Sequence, residues 1–126
     1  MSYELTWEPK GVVKRYFGHV TCAEVLAASN QSQSDPRFDE YRYAINDFLD
    51  CSEFVTDPAL LEELAAYAGA AEESNSNIKI AIVAANPAVV VATKQYLGFA
   101  LQTYPTRLFS TLTEARAWIN EKPFNL

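Results

Sequence analysis

Histidine occurs once and cysteine twice in these 126 residues. The lone His19 excludes a histidine-rich metal site. Cys22 and Cys51 lie far apart and outside any C-x-x-C spacing, so they support neither a disulfide framework nor a zinc site. Glycine is sparse as well. Gly11, Gly18, Gly69 and Gly98 are ungrouped, and a phosphate-cradling loop needs them clustered. Long apolar runs are missing too: the stretch from Ile78 to Ala92 is broken by Lys79, Asn86 and Pro87 and is too short to cross a bilayer. The opening MSYELTWEPK has no basic segment followed by an apolar one, which predicts a cytoplasmic location. Positive charge is in deficit, with ten Lys and Arg against sixteen Asp and Glu and a formal charge of -6. Such a surface repels a phosphate backbone and predicts no nucleic-acid partner.

The remaining composition, 49% hydrophobic and 21% charged, is that of a globular chain with one core, and the length predicts a single domain over residues 1–126. YELTWEPKGVVKRYFGHV reads as a hairpin around Pro9-Lys10-Gly11, with Tyr3, Leu5 and Trp7 alternating with polar neighbours and Val13 and Phe17 flanking Arg15. Thr21-Cys22-Ala23-Glu24 is a T-x-x-E capping box, in which hydroxyl and carboxylate each satisfy a backbone N–H. It opens a short helix with Cys22, Val25, Leu26 and Ser29 on one face, followed by a polar loop, SNQSQSDPR, that ends in an Asp-Pro turn.

Alternation returns from Asp39 to Leu49, predicting a strand, and Pro58 to Ala71 carries Leu60, Leu61, Leu64, Tyr67, Ala68 and Ala71 at helical spacing. NIKIAIVAAN has the β-branched character of a parallel strand covered on both faces. Asn86-Pro87 is a cap followed by the proline favoured at the first helical position, and opens a helix expected to reach Thr103. TRLFS is a short strand, and Thr111 to Glu114 a second capping box that opens a last helix. Strands alternating with helices after an initial hairpin predict an α/β fold: a mostly parallel sheet of about five strands, with about four helices.

A hairpin leading into GHVTCAEV, a strand into VTDPALL and a closing RLFSTLTEARAWI together resemble the SpoIIAA-like branch of the STAS superfamily, the sulfate transporter and anti-sigma factor antagonist domains. The likeness spans nearly the whole chain. It implies a compact SpoIIAA-like (STAS-like) α/β domain without enzymatic chemistry, used for protein contacts. A similar fold in the CRAL-TRIO lipid carriers suggests an apolar ligand as the alternative. In the antagonists, a strand ends in an Asp-Ser-Ser type turn whose serine is phosphorylated. That turn falls here on Thr56-Asp57-Pro58-Ala59, where Asp57 matches but Pro58 and Ala59 replace the hydroxyls. Using Thr56 or Ser52 instead would shift the register.

The residues bearing polar chemistry divide between two readings. Asp57 suits a helix cap, yet Asp50, Ser52, Thr56 and Asp57 also fall at the carboxyl end of a strand, where crossover sheets place their working loops. Cys22 and Cys51 are read as small buried hydrophobes for want of an electropositive neighbour. The spacing of Asp35, Asp39, Asp47 and Asp50 does not match a calcium loop. No set of nucleophile, base and orienting group assembles, so no enzyme activity and no cofactor are expected. The helix NPAVVVATKQYLGFALQTY is apolar beyond one stripe, through Val90, Tyr96, Leu97 and Leu101. That surplus can cover another helix, form a dimer contact or line an apolar pocket. The leading expectation is a protein partner or a second copy of the chain, and the alternative is a lipid or other apolar small molecule held between helix and sheet.

Overall fold

The computed structural model describes residues 2–71, 75–99 and 104–121. Two strands, β1 (Tyr3–Glu8) and β2 (Gly11–Thr21), pair antiparallel across a turn at Pro9 and Lys10. Three more, β3 (Tyr43–Val55), β4 (Lys79–Val83) and β5 (Thr106–Phe109), add in parallel to give a five-stranded sheet in the order β1-β2-β3-β4-β5. The helices α1 (Cys22–Gln33), α2 (Pro58–Ala71) and α3 (Pro87–Leu97) make the parallel crossovers, and α4 (Leu112–Ile119) follows β5. This is the α/β architecture expected from the alternation of elements.

Parallel strands need both faces covered, and the helices divide that work unequally. Cys22 of α1, Leu61 and Leu64 of α2 and Ala92 of α3 pack together over one face, above Tyr16, Val20, Phe48 and Ile82 of the sheet. On the other face, among the described helices, α4 seals Ile45, Ala81 and Val83 through Ala115, with Leu112, Trp118 and Ile119 around it. The core of the larger face is aromatic: the rings of Tyr16 and Phe48 stack with centroids 4.4 Å apart, and Phe54 meets Phe48 edge-on at 5.9 Å. Each such side chain contributes about 1.5–3 kcal/mol by leaving water.

Four boundaries differ from the sequence expectation. The strand expected over 39–49 runs instead from Tyr43 to Val55, because β2 stays paired with it to the end, and Pro36–Asp39 form a 3-10 turn. Helix α1 continues through the polar SNQSQ to Gln33. Its Ser32 is buried with the hydroxyl donated to the Ser29 carbonyl, and Asn30 accepts from the Tyr67 hydroxyl of α2 at 2.5 Å. Helix α3 stops at Leu97 with Gly98 as its cap, short of Thr103. At Thr111 the hydroxyl accepts from the Glu114 N–H, but the glutamate carboxylate returns to the same hydroxyl and to Ser110, a variant of the expected box.

The hairpin is locked to α4 at one corner. Tyr43 lies flat over Gly11 and donates its hydroxyl to Glu8, which also takes both guanidinium nitrogens of Arg116 at 3.0 and 2.8 Å. A Cβ at position 11 would overlap the Tyr43 ring. Gly11→Ala is therefore expected to displace Tyr43 and destabilise the fold by about 1–3 kcal/mol, the usual cost of overpacking. A urea-melt midpoint equal to that of the unsubstituted chain would show that the ring has room to move.

Candidate functional site

Beyond Asp47 the β3 strand has lost β4 and pairs only with β2. The two continue as a ribbon, with register shifts between Arg15 and Phe17 and between Gly18 and His19. Gly18 has φ +70 there, a left-handed conformation that suits a glycine at a bulge. This twisted ribbon carries the polar candidates. Asp50 is exposed and accepts from Arg15 at 2.8 and 3.1 Å, while Arg15 also reaches Glu4 at 3.3 Å. Ser52 is exposed, and its carbonyl accepts from the Asn86 amide at the start of α3 at 3.3 Å. Thr56 follows the strand, and Asp57 caps α2 by accepting from the N–H groups of Ala59 and Leu60 at 3.0 and 3.4 Å. The cap reading of Asp57 is thus realised, with Pro58 as the first helical residue.

Asp50 and Ser52 stand within the strand rather than in a loop after it. Cys22 and Cys51 are both buried, and burial pushes both thiols up. His19 is exposed, with its Nδ1 3.6 Å from a Glu53 carboxylate oxygen. Among the described residues no three His, Cys, Asp or Glu side chains converge in a way that could hold a metal ion. On α3, Val90 packs against the core cluster of Tyr16 and Phe48, and Tyr96 turns inward. Val91 is 55% and Leu97 38% exposed. Leu101 lies outside the described residues.

Part of the apolar surface of α3 faces a cavity. Between α1, α2, α3 and the sheet lies a chamber of about 110 Å³. Val89, Ala92 and Tyr96 of α3 line it opposite Phe48, Ile80 and Ile82 of the sheet. At its other end, Asn75 donates its amide to the carbonyls of Phe38 and Tyr41, each at 2.8 Å, and its own carbonyl accepts from the Tyr104 hydroxyl. Those bonds hold Phe38, Tyr41 and Tyr104 in the chamber wall.

One member of the wall is a cation. Lys14 alternates with Val12 and Tyr16 on the face of β2 beneath the helices, and is 5% exposed where its two neighbours are fully buried. Its ammonium has no hydrogen bond or ion pair among the described residues. Burial alone pushes its pKa down to about 8, as desolvation does to any unpaired lysine. On the paired position of β3 stands Asn46, whose side-chain oxygen accepts from the Tyr16 hydroxyl at 3.5 Å. Neither residue stands out in the sequence, where the alternation is carried by Val13, Arg15 and Phe17 on the opposite face. The signal was the Lys14-Arg15 pair: neighbours in a strand point to opposite faces, so one of the two had to enter the covered side.

Between about pH 8 and 10.5 the unfolded chain holds the Lys14 proton that the folded chain has lost. Stability therefore rises with pH through that window, and below it the burial penalty is felt in full. Lys14→Met, which keeps the length and removes the charge, is expected to stabilise the chain at neutral pH by about 1–3 kcal/mol. The melting-temperature gap between variant and unsubstituted chain should close as pH rises from 8 towards 10. A variant that melts lower, or a gap independent of pH, would contradict a buried, unpaired ammonium.

No family model matches the chain, and no curated protein matches it in sequence. Solved structures do. The anti-sigma factor antagonist SpoIIAA in its unphosphorylated form superposes with a TM-score of 0.59 at 15% identity, over 93% of this chain and 96% of that one. The Bacillus cell fate determinant SpoIIAA in the phosphorylated form gives 0.60 at 15% identity, over 94% and 99%. An uncharacterized DUF3478-family protein with a SpoIIAA-like fold from Shewanella loihica gives 0.52 at 12%, over 93% and 91%. The chain has the SpoIIAA-like fold.

Proposed function

We propose that this chain is a non-enzymatic, cytoplasmic STAS-like domain that works by binding a protein partner, through the ribbon corner at the carboxyl end of β3. The supporting observation is the exposure there of Leu49 and Val55, 40% and 47% accessible, on a strand rimmed by Asp50, Ser52, Thr56 and Asp57. Large apolar side chains inside a polar rim have the composition of a protein contact. The fold likeness to an anti-sigma factor antagonist, a protein defined by its action on another protein, points the same way. No helix among the described residues is long and apolar enough to cross a membrane.

The partner is not switched by phosphate at the first turn of α2. Pro58 and Ala59 offer no hydroxyl, and Asp57 already occupies the N–H groups of that turn. A second reading is favoured by the chamber: an apolar small molecule held between helices and sheet makes the domain a carrier or sensor. The corner and the chamber are joined through α3. Its Asn86 holds the Cys51 and Ser52 carbonyls, and its Val89 and Tyr96 form the chamber wall.

A photo-reactive side chain placed at position 55 in cells is expected to crosslink one protein. Leu49→Asp with Val55→Asp should weaken that contact about thirtyfold or more, as loss of a central anchor does, while the melting temperature stays unchanged. Crosslinking to this same chain would make the partner a second copy. Diffuse crosslinks that survive both substitutions would sink the corner as an interface.

A further inference from the structure

The chamber walls carry charge at one place only among the described residues. Every other lining group is apolar, an amide, a hydroxyl or a phenol, and no carboxylate faces Lys14. The titratable neighbours are Tyr16 beside it on β2 and Tyr41, Tyr96 and Tyr104 in the walls. Burial raises the first three, so they cannot supply a counter-charge near neutral pH. A largely buried ammonium without a protein partner is costly; no fully enclosed side-chain nitrogen or oxygen among the described residues lacks a hydrogen bond, so the Lys14 nitrogen opens onto free space that a counter-ion can reach. The buried charge is accounted for if the counter-ion arrives from outside.

The donors next to it set what kind of anion fits. Lys14 and Asn46 are paired residues of adjacent strands, both lining the chamber, so their backbones stand roughly 4.8 Å apart. The Tyr16 hydroxyl engages the Asn46 side-chain oxygen, which leaves the Asn46 amide nitrogen without a hydrogen-bond partner among the described residues. An ammonium and an amide N–H side by side match the two oxygens of one carboxylate. The volume sets the rest. An apolar cavity of 150 Å³ accepts benzene, and 110 Å³ therefore suits something smaller than a ring, a short acyl chain of about four carbons.

We propose that the chamber is a site for a small apolar monocarboxylate, received at its charged end by the Lys14 ammonium and the Asn46 amide, with its hydrocarbon body among Phe48, Ile82, Leu64 and Val89. This rests on reading the chamber as an apolar-ligand site, and it adds the headgroup and the size. Binding supplies the missing counter-ion, so the ligated chain holds Lys14 fully protonated where the free chain begins to lose its proton near pH 8.

Butyrate and isobutyrate, with butanol and isobutanol as neutral counterparts, test it by calorimetry and by methyl NMR shifts on the full chain. The acids are expected to bind and to shift Ile80, Ile82 and Val89, with the alcohols about tenfold or more weaker. Lys14→Met, expected to fold more stably than the unsubstituted chain, should lose about ten- to a hundredfold in affinity for the acids and nothing for the alcohols. Acid affinity should also fall as pH rises above 8, with alcohol binding flat. Acids and alcohols binding alike to both chains would overturn the role of Lys14 while leaving the chamber an apolar site. Failure of all four probes to shift chamber methyls would remove the chamber reading and this inference together.

Discussion

The parallel pairing of β2 with β3 is the contact on which the rest of the structure hangs. It runs the full length of both strands, from Gly11 opposite Tyr43 to Thr21 opposite Val55, and through it every side chain of β2 is assigned a face. Val12, Lys14 and Tyr16 go under three helices. Arg15 goes to the face of α4, beyond the cluster that Val13 joins there, and stays in solvent between Glu4 and Asp50. A slip of one residue would exchange these two sets. It would bury Arg15 and expose Tyr16, and the stack of Tyr16 on Phe48 would be lost.

Where local chemistry decides the structure, the sequence was easily read. Caps and first-turn prolines are satisfied within a few residues, so the starts of α1, α2 and α3 fell at Cys22, Pro58 and Pro87 as expected. Ends depend on tertiary partners and were harder. Nothing local says that SNQSQ stays helical; the Asn30 contact with Tyr67 lies 37 residues away. The same holds for the last third of β3, whose polar DCSEF reads as a loop until its ladder with β2 is seen. Lys14 was hidden for a related reason: a hairpin strand with one wet face gives alternation an outlet, and only the helices above β2 reveal which face is dry.

Proline at position 58 shapes both the fold and its use. It starts α2 with no N–H to satisfy, and Asp57 takes up the free donors of the turn. Pro58 and Ala59 also stand where the resemblance to a SpoIIAA-like switch would place its hydroxyls. A domain that keeps the scaffold and lacks that acceptor needs another input if its contacts are to be regulated. In this chain the chamber lies one helix away from the corner.

Lys14 is where the stability of the free chain and the chemistry of the chamber pull in opposite directions. A methionine in its place would pack among Val12, Tyr16 and Phe48 without a charge to desolvate, so a core tuned for stability alone has no use for an ammonium there. Breaches of core rules concentrate at functional sites, where an interaction made only in the bound state offsets the cost in the free one. For a carboxylate ligand that offset is specific. The ligand restores the counter-ion that β2 lacks, while a neutral molecule of the same shape leaves the cost in place. Discrimination between acid and alcohol is therefore built into the free chain, in a buried ammonium that no described side chain pairs with.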